Sequence, residues 1–350
     1  MSGDMRELKV LFVGSFAGTS GHRADALRRS GYAVTHISPY VDLPRRWSFW
    51  LYRTGGIGLD WLVTRSLKRQ IPDGRFDLAF VDSGDVIGPR ALSYIRSVAR
   101  LSCNYNADNP YHDPPPERLR WTLHRRAAKM HDLVVAVKRD KLDEQMRALG
   151  IRNPMLIWQC ADEIEHTPYA FQDGEKDEWA CDVIFAGAWM PGRDAFMAEL
   201  VEAGLDIRIY GNRWDRSPNF ERIKSAVQFK FLKDRDYAKA ISAAKVALVM
   251  LNDRNFDLHT TRSAEIPAIG TAMCAPRTSH HLAMYDEGEE VLLFDNAQEC
   301  VAQCRRLLAD DAFRIRMAQK ARERSVRNRT YNEFLMQDIV ERALEIGGRR

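Results

Sequence analysis

The chain contains one pattern twice, and this repeat restricts the fold more than any other feature. In the first copy the apolar run KVLFV ends in Gly14, a helical segment follows, and Gly31 precedes a second run, YAVTHI. In the second copy CDVIFA ends in Gly187, and Gly204 precedes LDIRIY. The two glycines are 17 positions apart in both copies. The order of strand, helix and strand predicts a right-handed crossover between parallel strands.

Short apolar runs continue through both halves of the chain. They are DLAFVD, LSCNY, LVVAV and PMLIW in the first half, and QFKFL, KVALVML, TAMCAP and EVLLF in the second. Such runs are typical of strands that are buried on both faces of a parallel sheet. A chain of 350 residues is long enough for two domains. We therefore predict an α/β fold with two tandem Rossmann-like domains facing a central cleft.

The polar stretch His166–Trp179, rich in Asp, Glu and Lys, is the predicted linker. It divides an N-terminal domain, residues 1–165, from a C-terminal domain, residues 180–330. The sequence of residues 331–350 predicts a final helix, which could pack back across the hinge between the two domains. Because open α/β sheets bind ligands beyond the carboxyl ends of their strands, we expect the site to lie between the domains.

Several function classes are disfavoured. Neither glycine loop has the G-x-G-x-x-G spacing and no G-x-x-x-x-G-K occurs, which argues against a nicotinamide dehydrogenase and a P-loop kinase. The net charge of +4 is too small to suggest a nucleic-acid partner. Six cysteines without a C-x-x-C pair suggest neither a zinc site nor a disulfide framework, and Cys300 and Cys304 are expected to be buried small residues.

The predicted location is cytoplasmic. No apolar stretch approaches the roughly 20 residues that span a bilayer, and the first residues lack the features of a signal peptide. The segment RRWSFWLYR, Arg45–Arg53, interleaves aromatic and arginine residues. It could stack on a glycan, contact an anionic membrane peripherally or bind a nucleic acid. Core packing of Trp47, Trp50 and Leu51 is the alternative explanation.

The segment NFDLHTTRSAEIPAIGTAMCAP, Asn255–Pro276, combines an acid, a polar loop, an arginine and a glutamate that opens an apolar helix. It resembles the donor-binding segment of GT-B glycosyltransferases, particularly the CgeB-like group among relatives of glycosyltransferase family four. The similarity extends to the FAG turn that ends at Gly187, to the YGNRW turn that contains Arg213 and to the D-x7-E spacing of Asp257 and Glu265.

The resemblance implies a nucleotide diphosphate sugar as the donor substrate, and it assigns roles to two carboxylates. Glu265 matches the residue that holds the ribose hydroxyls, while Asp257 matches a residue near the donor sugar, where these relatives commonly have Glu. A carboxylate is a strong acceptor for two neighbouring hydroxyls. The alternative for Glu265 is a first-turn acid that complements the helix dipole.

We predict that Arg262 holds the diphosphate, because a guanidinium fork matches phosphate oxygens. His259, Thr260 and Thr261 could add hydrogen-bond donors beside it. Arg213, in a Gly-Asn-Arg turn, could also meet the donor, although such a turn forms without a ligand. The turn at Gly187 completes the predicted donor site.

The first domain is expected to bind the acceptor. The glycine-rich loop before His22 would face the acceptor and the donor phosphates in GT-B enzymes, and His22 is a candidate general base or an ordinary helix-start histidine. The segment NADNPYHD, within Asn104–Asp113, follows a predicted strand. Asp108 and Tyr111 could bind sugar hydroxyls there, or the segment could be only a turn.

The predicted function is transfer of a sugar from a nucleotide diphosphate sugar to a hydroxyl of a glycan or other cell-envelope acceptor. The resemblance supplies this hexosyltransferase class. We expect no metal and no cofactor, because no clear D-x-D motif is present and Arg262 with helix-end amides can stabilise the leaving diphosphate. The alternatives are a nucleotide-sugar epimerase and a non-catalytic nucleotide-sugar-binding module.

Overall fold

The structure is a computed structural model that describes residues 8–112, 119–232 and 234–348. Asp113, which ends the predicted acceptor segment, lies outside the described residues. The chain forms two compact units. The first comprises the residues up to Trp158, Arg254–Phe256 and the residues from Asn332 onward, and the second comprises Gln159–Asp253 and Asp257–Tyr331.

The first unit is built on a six-stranded parallel sheet with the order β2-β1-β3-β4-β5-β6. Its strands are β1 (Lys9–Val13), β2 (Ala33–Ile37), β3 (Phe76–Asp82), β4 (Ala99–Asn106), β5 (Leu133–Val137) and β6 (Pro154–Ile157). Leu11 pairs with Thr35 on one side and with Ala79 on the other. The central strands are buried on both faces, which explains their continuous apolar sequences.

Helices connect these strands: α1 (Gly18–Arg29), α2 (Ser48–Thr54), α3 (Asp60–Gln70), α4 (Pro89–Val98), α5 (Thr122–Ala128) and α6 (Leu142–Ala148). Helix α4 begins at a proline, whose fixed φ suits the first helical turn. The carboxylate of Asp60 in α3 accepts hydrogen bonds from the N–H groups of Arg90 and Ala91 at 2.9 and 3.0 Å. A side chain of the neighbouring helix α3 thus accepts hydrogen bonds from two N–H groups in the first turn of α4, where N–H groups have no partner within their own helix.

The second unit has a parallel sheet with the order β12-β11-β10-β7-β8-β9. Its strands are β7 (Cys181–Ala186), β8 (Ile207–Tyr210), β9 (Val227–Gln228), β10 (Ala244–Leu248), β11 (Ala272–Pro276) and β12 (Leu292–Phe294). Its helices are α7 (Glu175–Trp179), α8 (Arg193–Glu202), α9 (Phe220–Ile223), α10 (Asp234–Ala243), α11 (Arg262–Ile269), α12 (Ser279–Met284), α13 (Ala297–Ala309) and α14 (Asp311–Arg327).

The predicted α/β fold is confirmed, since each of the twelve apolar runs overlaps a strand of one of the two parallel sheets. The run QFKFL overlaps least, because only its first residue, Gln228, lies in β9. Residues 166–179, the predicted linker, belong to the second unit and end in α7. The last helix, α15 (Asn332–Gly348), belongs to the first unit and packs on α1, β4 and β5.

Three cysteines meet in the apolar core of the second unit. Cys300 and Cys304 of α13 are buried, as their spacing predicted, and they lie against buried Cys274 of β11. Their sulfur atoms are within 4.8 Å of one another, the one such grouping of metal-ligand side chains among the described residues. No described helix is both long and apolar enough to cross a membrane.

Candidate functional site

Two turns at the carboxyl edge of the second sheet are joined by their backbones. Gly187, after β7, donates its N–H to the carbonyl of Tyr210 at 2.8 Å, and Trp189 donates to the carbonyl of Asn212 at 2.9 Å. At Gly211 φ is +136°, and a Cβ there would lie 2.2 Å from the carbonyl oxygen of Gly187. Only glycine permits this close approach of the two turns. Backbone atoms, and not side chains, therefore line the edge of the sheet at this point.

Arg213 occupies the next position of the second turn. Its φ of 71° is in the left-handed region, which is uncommon for a residue other than glycine. The side chain is exposed, and its guanidinium lies 5.9 Å from the ring centre of Trp189. The two joined turns therefore present an exposed cation beside a half-buried indole ring.

Arg193, the first residue of α8, was not among the predicted site residues. Its guanidinium donates to the carbonyl of Ala188 at 2.9 Å and to that of Leu251 at 2.8 Å. Burial lowers the pKa of Arg193 to about 10, although Asp253 lies near enough to oppose this effect. Arg193 fixes the turn after β7 against the segment after β10.

Arg262 is the first residue of α11, and its side chain is held on two sides. Nε donates to the carbonyl of Ala186 at 3.0 Å, and Nη1 forms an ion pair with Glu265. The guanidinium stacks 4.4 Å from the ring centre of Tyr237. The ion pair with Glu265 raises the pKa of Arg262 even though burial acts against it. Arg262 is still 31% exposed, so part of its fork faces solvent.

Glu265, the predicted ribose ligand, is only 1% exposed. Burial alone would raise its pKa, but the charge of Arg262 and the proximity of His166, 3.6 Å away, hold that pKa below its usual range. In this arrangement the carboxylate positions Arg262 and does not face solvent. The ribose role stays a prediction, and this geometry does not favour it.

The loop before α11 carries the other predicted donor residues. His259 is 1% exposed, and its Nε2 accepts the N–H of Gln159 at 3.0 Å while Nδ1 lies 3.0 Å from Nδ1 of His280. These contacts commit the His259 ring to the protein, which does not favour donor binding. Thr260, Thr261 and Asp257 are half-buried, and the Thr260 hydroxyl has no partner among the described residues.

In the first unit, a strained turn follows β3. Ser83 has φ 64° and donates its N–H to the carbonyl of Tyr105 at 2.7 Å. Its own carbonyl accepts from the side-chain amides of Asn104 and Asn106 at 3.2 and 3.1 Å. Non-glycine residues with positive φ persist where their surroundings hold them, and such positions are concentrated at functional sites.

The strained turn presents Asp85, a carboxylate that the sequence analysis missed. Its Oδ1 accepts hydrogen bonds from the Tyr40 hydroxyl and from the N–H of Val86. No described residue hydrogen-bonds the second oxygen, Oδ2. Burial raises the pKa of Asp85, although its hydrogen bond to Tyr40 and the nearby charge of Arg120 oppose that shift. A carboxylate with one fixed oxygen and one open oxygen can accept a substrate hydroxyl proton.

Asp108, the predicted acceptor-side acid, has both oxygens occupied. Oδ2 pairs with Arg120 at 2.9 Å, and Oδ1 accepts from the amide of Asn255 at 3.2 Å. The carbonyl of Asn255 accepts from Arg139 at 2.9 Å. Asp108 thus ties Arg254–Phe256 to the first unit, an arrangement that favours a structural role over that of a base.

The other two first-unit candidates differ in exposure. His22 lies in α1, half-buried, next to Arg23, whose guanidinium forms a buried pair with Asp82 at 2.6 Å. Tyr111 is 7% exposed and packs among the apolar side chains of α5, β5 and α6. Its ring has no open face for an acceptor, so acceptor binding by Tyr111 is the predicted role that the structure favours least.

The missed residues had weak signals in the sequence. Asp85 stands in an acid-Ser-Gly-acid turn directly after an apolar run, which is where a parallel sheet places ligand-binding groups. Arg193 follows the FAG turn at the predicted start of a helix. Neither sequence position reveals which backbone carbonyls or hydroxyls lie around it.

Comparison with known proteins supports the predicted class. Residues 193–340, less than half of the chain, match the model of a family described as glycosyl transferase-like. This stretch contains α8, the turn with Arg213 and α11, three of the elements that build the candidate donor site. The match supports the predicted nucleotide-sugar glycosyltransferase function. A comparison with curated protein sequences finds no match.

Solved structures share the fold across nearly the whole chain. Sucrose-phosphate synthase from Thermosynechococcus elongatus is 13% identical with a TM-score of 0.67, covering 98% of this chain and 100% of that one. Anabaena HepE in complex with UDP-glucose is 13% identical with a TM-score of 0.65, covering 95% and 98%. A Listeria monocytogenes protein described as a UDP-N-acetylglucosamine 2-epimerase is 13% identical with a TM-score of 0.56, covering 95% of both chains.

At this level of identity the comparison establishes the fold, which is the GT-B fold that the sequence predicted. Glycosyltransferases and a protein described as an epimerase share it. The fold therefore does not distinguish a glycosyltransferase from a nucleotide-sugar epimerase, the closest enzyme alternative.

Proposed function

We propose that the chain transfers a sugar from a nucleotide diphosphate donor to a hydroxyl of a glycan or cell-envelope acceptor. The observation that carries this proposal is the arrangement of Arg262 at the start of α11. Two of its nitrogens are fixed by Ala186 and Glu265, and the third, Nη2, has no hydrogen-bond partner among the described residues and can meet a ligand oxygen. A guanidinium oriented in advance loses little entropy when it binds a phosphate.

The diphosphate has further partners at the same edge. Arg213 is exposed on the joined turns, and the backbone at Gly187 and Gly211 lets phosphate oxygens approach closely. The amino end of α11, at which Arg262 stands, adds the positive end of the helix dipole. In this proposal the arginines supply the positive charge that stabilises the departing diphosphate, and no metal is required.

The reaction is a displacement at the anomeric carbon. A bond forms from the acceptor oxygen to that carbon, the bond from the carbon to the diphosphate oxygen breaks, and the acceptor proton passes to a base. We assign the base role to Asp85, because its Oδ2 is open and its raised pKa favours proton uptake. His22 and Asp108 remain the alternatives from the sequence, and Asp257 is retained near the donor sugar.

The finer assignments rest on the sequence resemblance. We place the chain in the CgeB-like group, with a hexose as the transferred sugar. The resemblance also assigns Glu265 to the ribose, but we propose that Glu265 positions Arg262 instead, because the ion pair between them orients the guanidinium.

The exposed aromatic side chains of α2 support the proposal of peripheral contact with a membrane. On α2, Phe49 is 74% exposed, Tyr52 is 52% exposed and Trp50 is 40% exposed, while Leu51 packs into the core. Exposed aromatic rings beside arginines are typical of surfaces that lie at an anionic membrane. Co-sedimentation with vesicles that contain anionic lipid tests this: Phe49→Ser should reduce binding, and zwitterionic vesicles should bind neither protein.

The epimerase alternative is favoured by the structural likeness to the Listeria protein. Incubation with a nucleotide sugar alone separates the two reactions. An epimerase converts the sugar while it stays linked to the nucleotide, whereas a glycosyltransferase releases nucleoside diphosphate by transfer or by slow hydrolysis. A thermal-shift panel of nucleotides and nucleotide sugars identifies the donor beforehand, because a ligand of the folded state raises its stability.

A further inference from the structure

A polar pocket of about 570 Å³ opens in the first unit, away from the turns described above. It is formed by the end of α4, the segment between α5 and β5, and the residues before β6. These segments lie at the amino-terminal edge of the sheet. The strained turn with Asp85 follows the carboxyl end of β3, at the opposite edge. The pocket is therefore separate from the candidate transfer site.

Positive charge dominates this pocket. Arg96, Lys129 and Arg152 line it with a single acid, Asp132. Asp132 is buried, accepts from Ser102 at 2.9 Å and lies 3.7 Å from Arg96. In the described part of the chain no acid pairs with Lys129 or Arg152, and both side chains are exposed. Three cations with one acid leave two positive charges for an anionic ligand.

The uncharged polar groups of the pocket indicate that its ligand carries hydroxyl groups as well as negative charge. The Ser93 hydroxyl donates to the carbonyl of Pro89 at 2.8 Å, and the Ser97 hydroxyl donates to that of Tyr94 at 2.7 Å. With their protons on these helix carbonyls, both serine oxygens offer lone pairs that accept a hydrogen bond from a ligand hydroxyl. The doubly ionised phosphate of a monoester has no proton to donate to them, but the hydroxyls of a sugar or polyol do.

The floor of the pocket offers no platform for a nucleobase. Met130 and His131 line it, and none of the described lining residues is Phe, Tyr or Trp. Burial lowers the pKa of His131 to about 3, so the ring is neutral and adds no charge. The volume is within the range of small-molecule sites.

We propose that this pocket binds a phosphorylated sugar or polyol, with the phosphate at Arg96, Lys129 and Arg152 and the ligand hydroxyls at Ser93 and Ser97. The pocket thus combines three cations with two hydroxyl oxygens. A phosphorylated sugar or polyol has both an anionic group for the cations and hydroxyl groups for the serines, whereas inorganic phosphate lacks the hydroxyls of the carbon chain and a neutral sugar lacks the charge.

Calorimetry on the full chain tests the proposal with glucose 6-phosphate, glucose 1-phosphate and glycerol 3-phosphate as probes. At least one should bind tenfold or more tightly than both inorganic phosphate and its own unphosphorylated polyol. Replacing both exposed cations, Lys129→Ala with Arg152→Ala, should weaken binding at least tenfold. Ser93→Ala with Ser97→Ala should weaken binding of the organic phosphate more than binding of inorganic phosphate.

Two controls locate the bound ligand. Arg213→Ala, in the second unit, should leave the affinity unchanged, which excludes binding at the candidate donor site. A ¹³C label on the methionine methyl groups should show a shift of the Met130 signal, assigned with Met130→Leu. These measurements need no transfer activity, so the proposal is tested whether or not the chain is a glycosyltransferase.

The proposal is overturned if no probe binds at millimolar concentration or if Met130 does not respond. It is also overturned if inorganic phosphate binds as tightly as the best organic phosphate, or if Arg213→Ala abolishes binding while the double cation variant retains it. Thermal unfolding of each variant checks the fold, and the exposed positions of Lys129 and Arg152 predict little change.

Discussion

Glu265 is 1% exposed and forms an ion pair with Arg262, which lies three positions earlier in α11 and is 31% exposed. One member of the pair is thus enclosed while the other reaches solvent. Because the charge of Arg262 helps to keep the pKa of Glu265 low, the carboxylate is ionised at neutral pH and orients the guanidinium. Donor binding and local stability should therefore depend on the same contact.

Replacing Glu265 by glutamine should affect both properties. Glu265→Gln removes a charged hydrogen bond, and we expect the free energy of unfolding to fall by about 1–3 kcal/mol and nucleotide affinity to fall with it. Glu202→Gln is the matched control, since solvent screens the exposed pair of Glu202 with Arg222 and its loss should change stability little. Urea unfolding and calorimetry measure the two effects. Equal losses of stability and nucleotide affinity in the two variants would contradict the role of Glu265 in positioning Arg262.

Because the two turns approach each other closely at Gly211, we expect two glycine-to-alanine substitutions to differ in their effect on stability. Gly211→Ala and Gly204→Ala both introduce a side chain at positive φ, which costs about 1–3 kcal/mol. Only at Gly211 does the new Cβ meet the carbonyl of Gly187, so that variant should lose about 1–3 kcal/mol more and bind nucleotide more weakly. If the two variants unfold at the same urea concentration, the close approach of the turns is not required.

The open oxygen of Asp85 predicts a loss of transfer without a loss of donor binding. Asp85→Asn retains an acceptor for the Tyr40 hydroxyl but cannot take a proton, so transfer should slow by about 10²–10⁴-fold at unchanged nucleotide affinity. Asp77→Asn, near the start of β3, the strand that precedes this turn, is the control and should retain activity. Comparison with Asp108→Asn and His22→Ala then ranks the candidates. A fully active Asp85→Asn enzyme would exclude Asp85 as the base.

Histidine burial predicts how stability changes with pH. Burial lowers the pKa of His281 to about 4; its Nδ1–H donates to the carbonyl of Pro276 and its Nε2 accepts from the Ser263 hydroxyl. Below the unfolded value of about 6.5, the unfolded chain binds a proton that the folded ring does not. Stability should therefore be intact above pH 6.5 and fall towards pH 4, by about 1.4 kcal/mol per unit for this residue.

The change His281→Gln should remove that contribution from the pH dependence of unfolding. Urea unfolding of both proteins between pH 7 and pH 5 measures the difference in slope. Parallel curves would show that His281 does not resist protonation in the folded chain.

The strands were predictable because each is an apolar run buried in a parallel sheet, and burial on both faces leaves a signal in consecutive residues. The predicted donor residues Gly187, Arg213 and Arg262 also lie at one edge of one sheet, since each follows or adjoins a strand end. Sequence order alone specifies that placement.

Side-chain surroundings were not predictable in the same way. The partner of Asp85 is Tyr40, 45 positions earlier, and no local pattern joins them. Nor does the helical position of Glu265 reveal whether its carboxylate faces solvent or Arg262. Tyr111 follows a strand, as an acceptor residue would, but its ring turns into the apolar cluster of α5, β5 and α6. These outcomes depend on packing between segments that are distant in the chain.

The most direct test is to incubate the chain and its Arg262→Lys variant with a panel of nucleotide sugars and to measure free nucleoside diphosphate and the sugar product by chromatography. We expect one donor to release nucleoside diphosphate, and the variant to release it at least tenfold more slowly, because lysine retains the charge but not the planar fork. An epimerised sugar that is still linked to its nucleotide, or equal release by the two proteins, would contradict the proposed donor site.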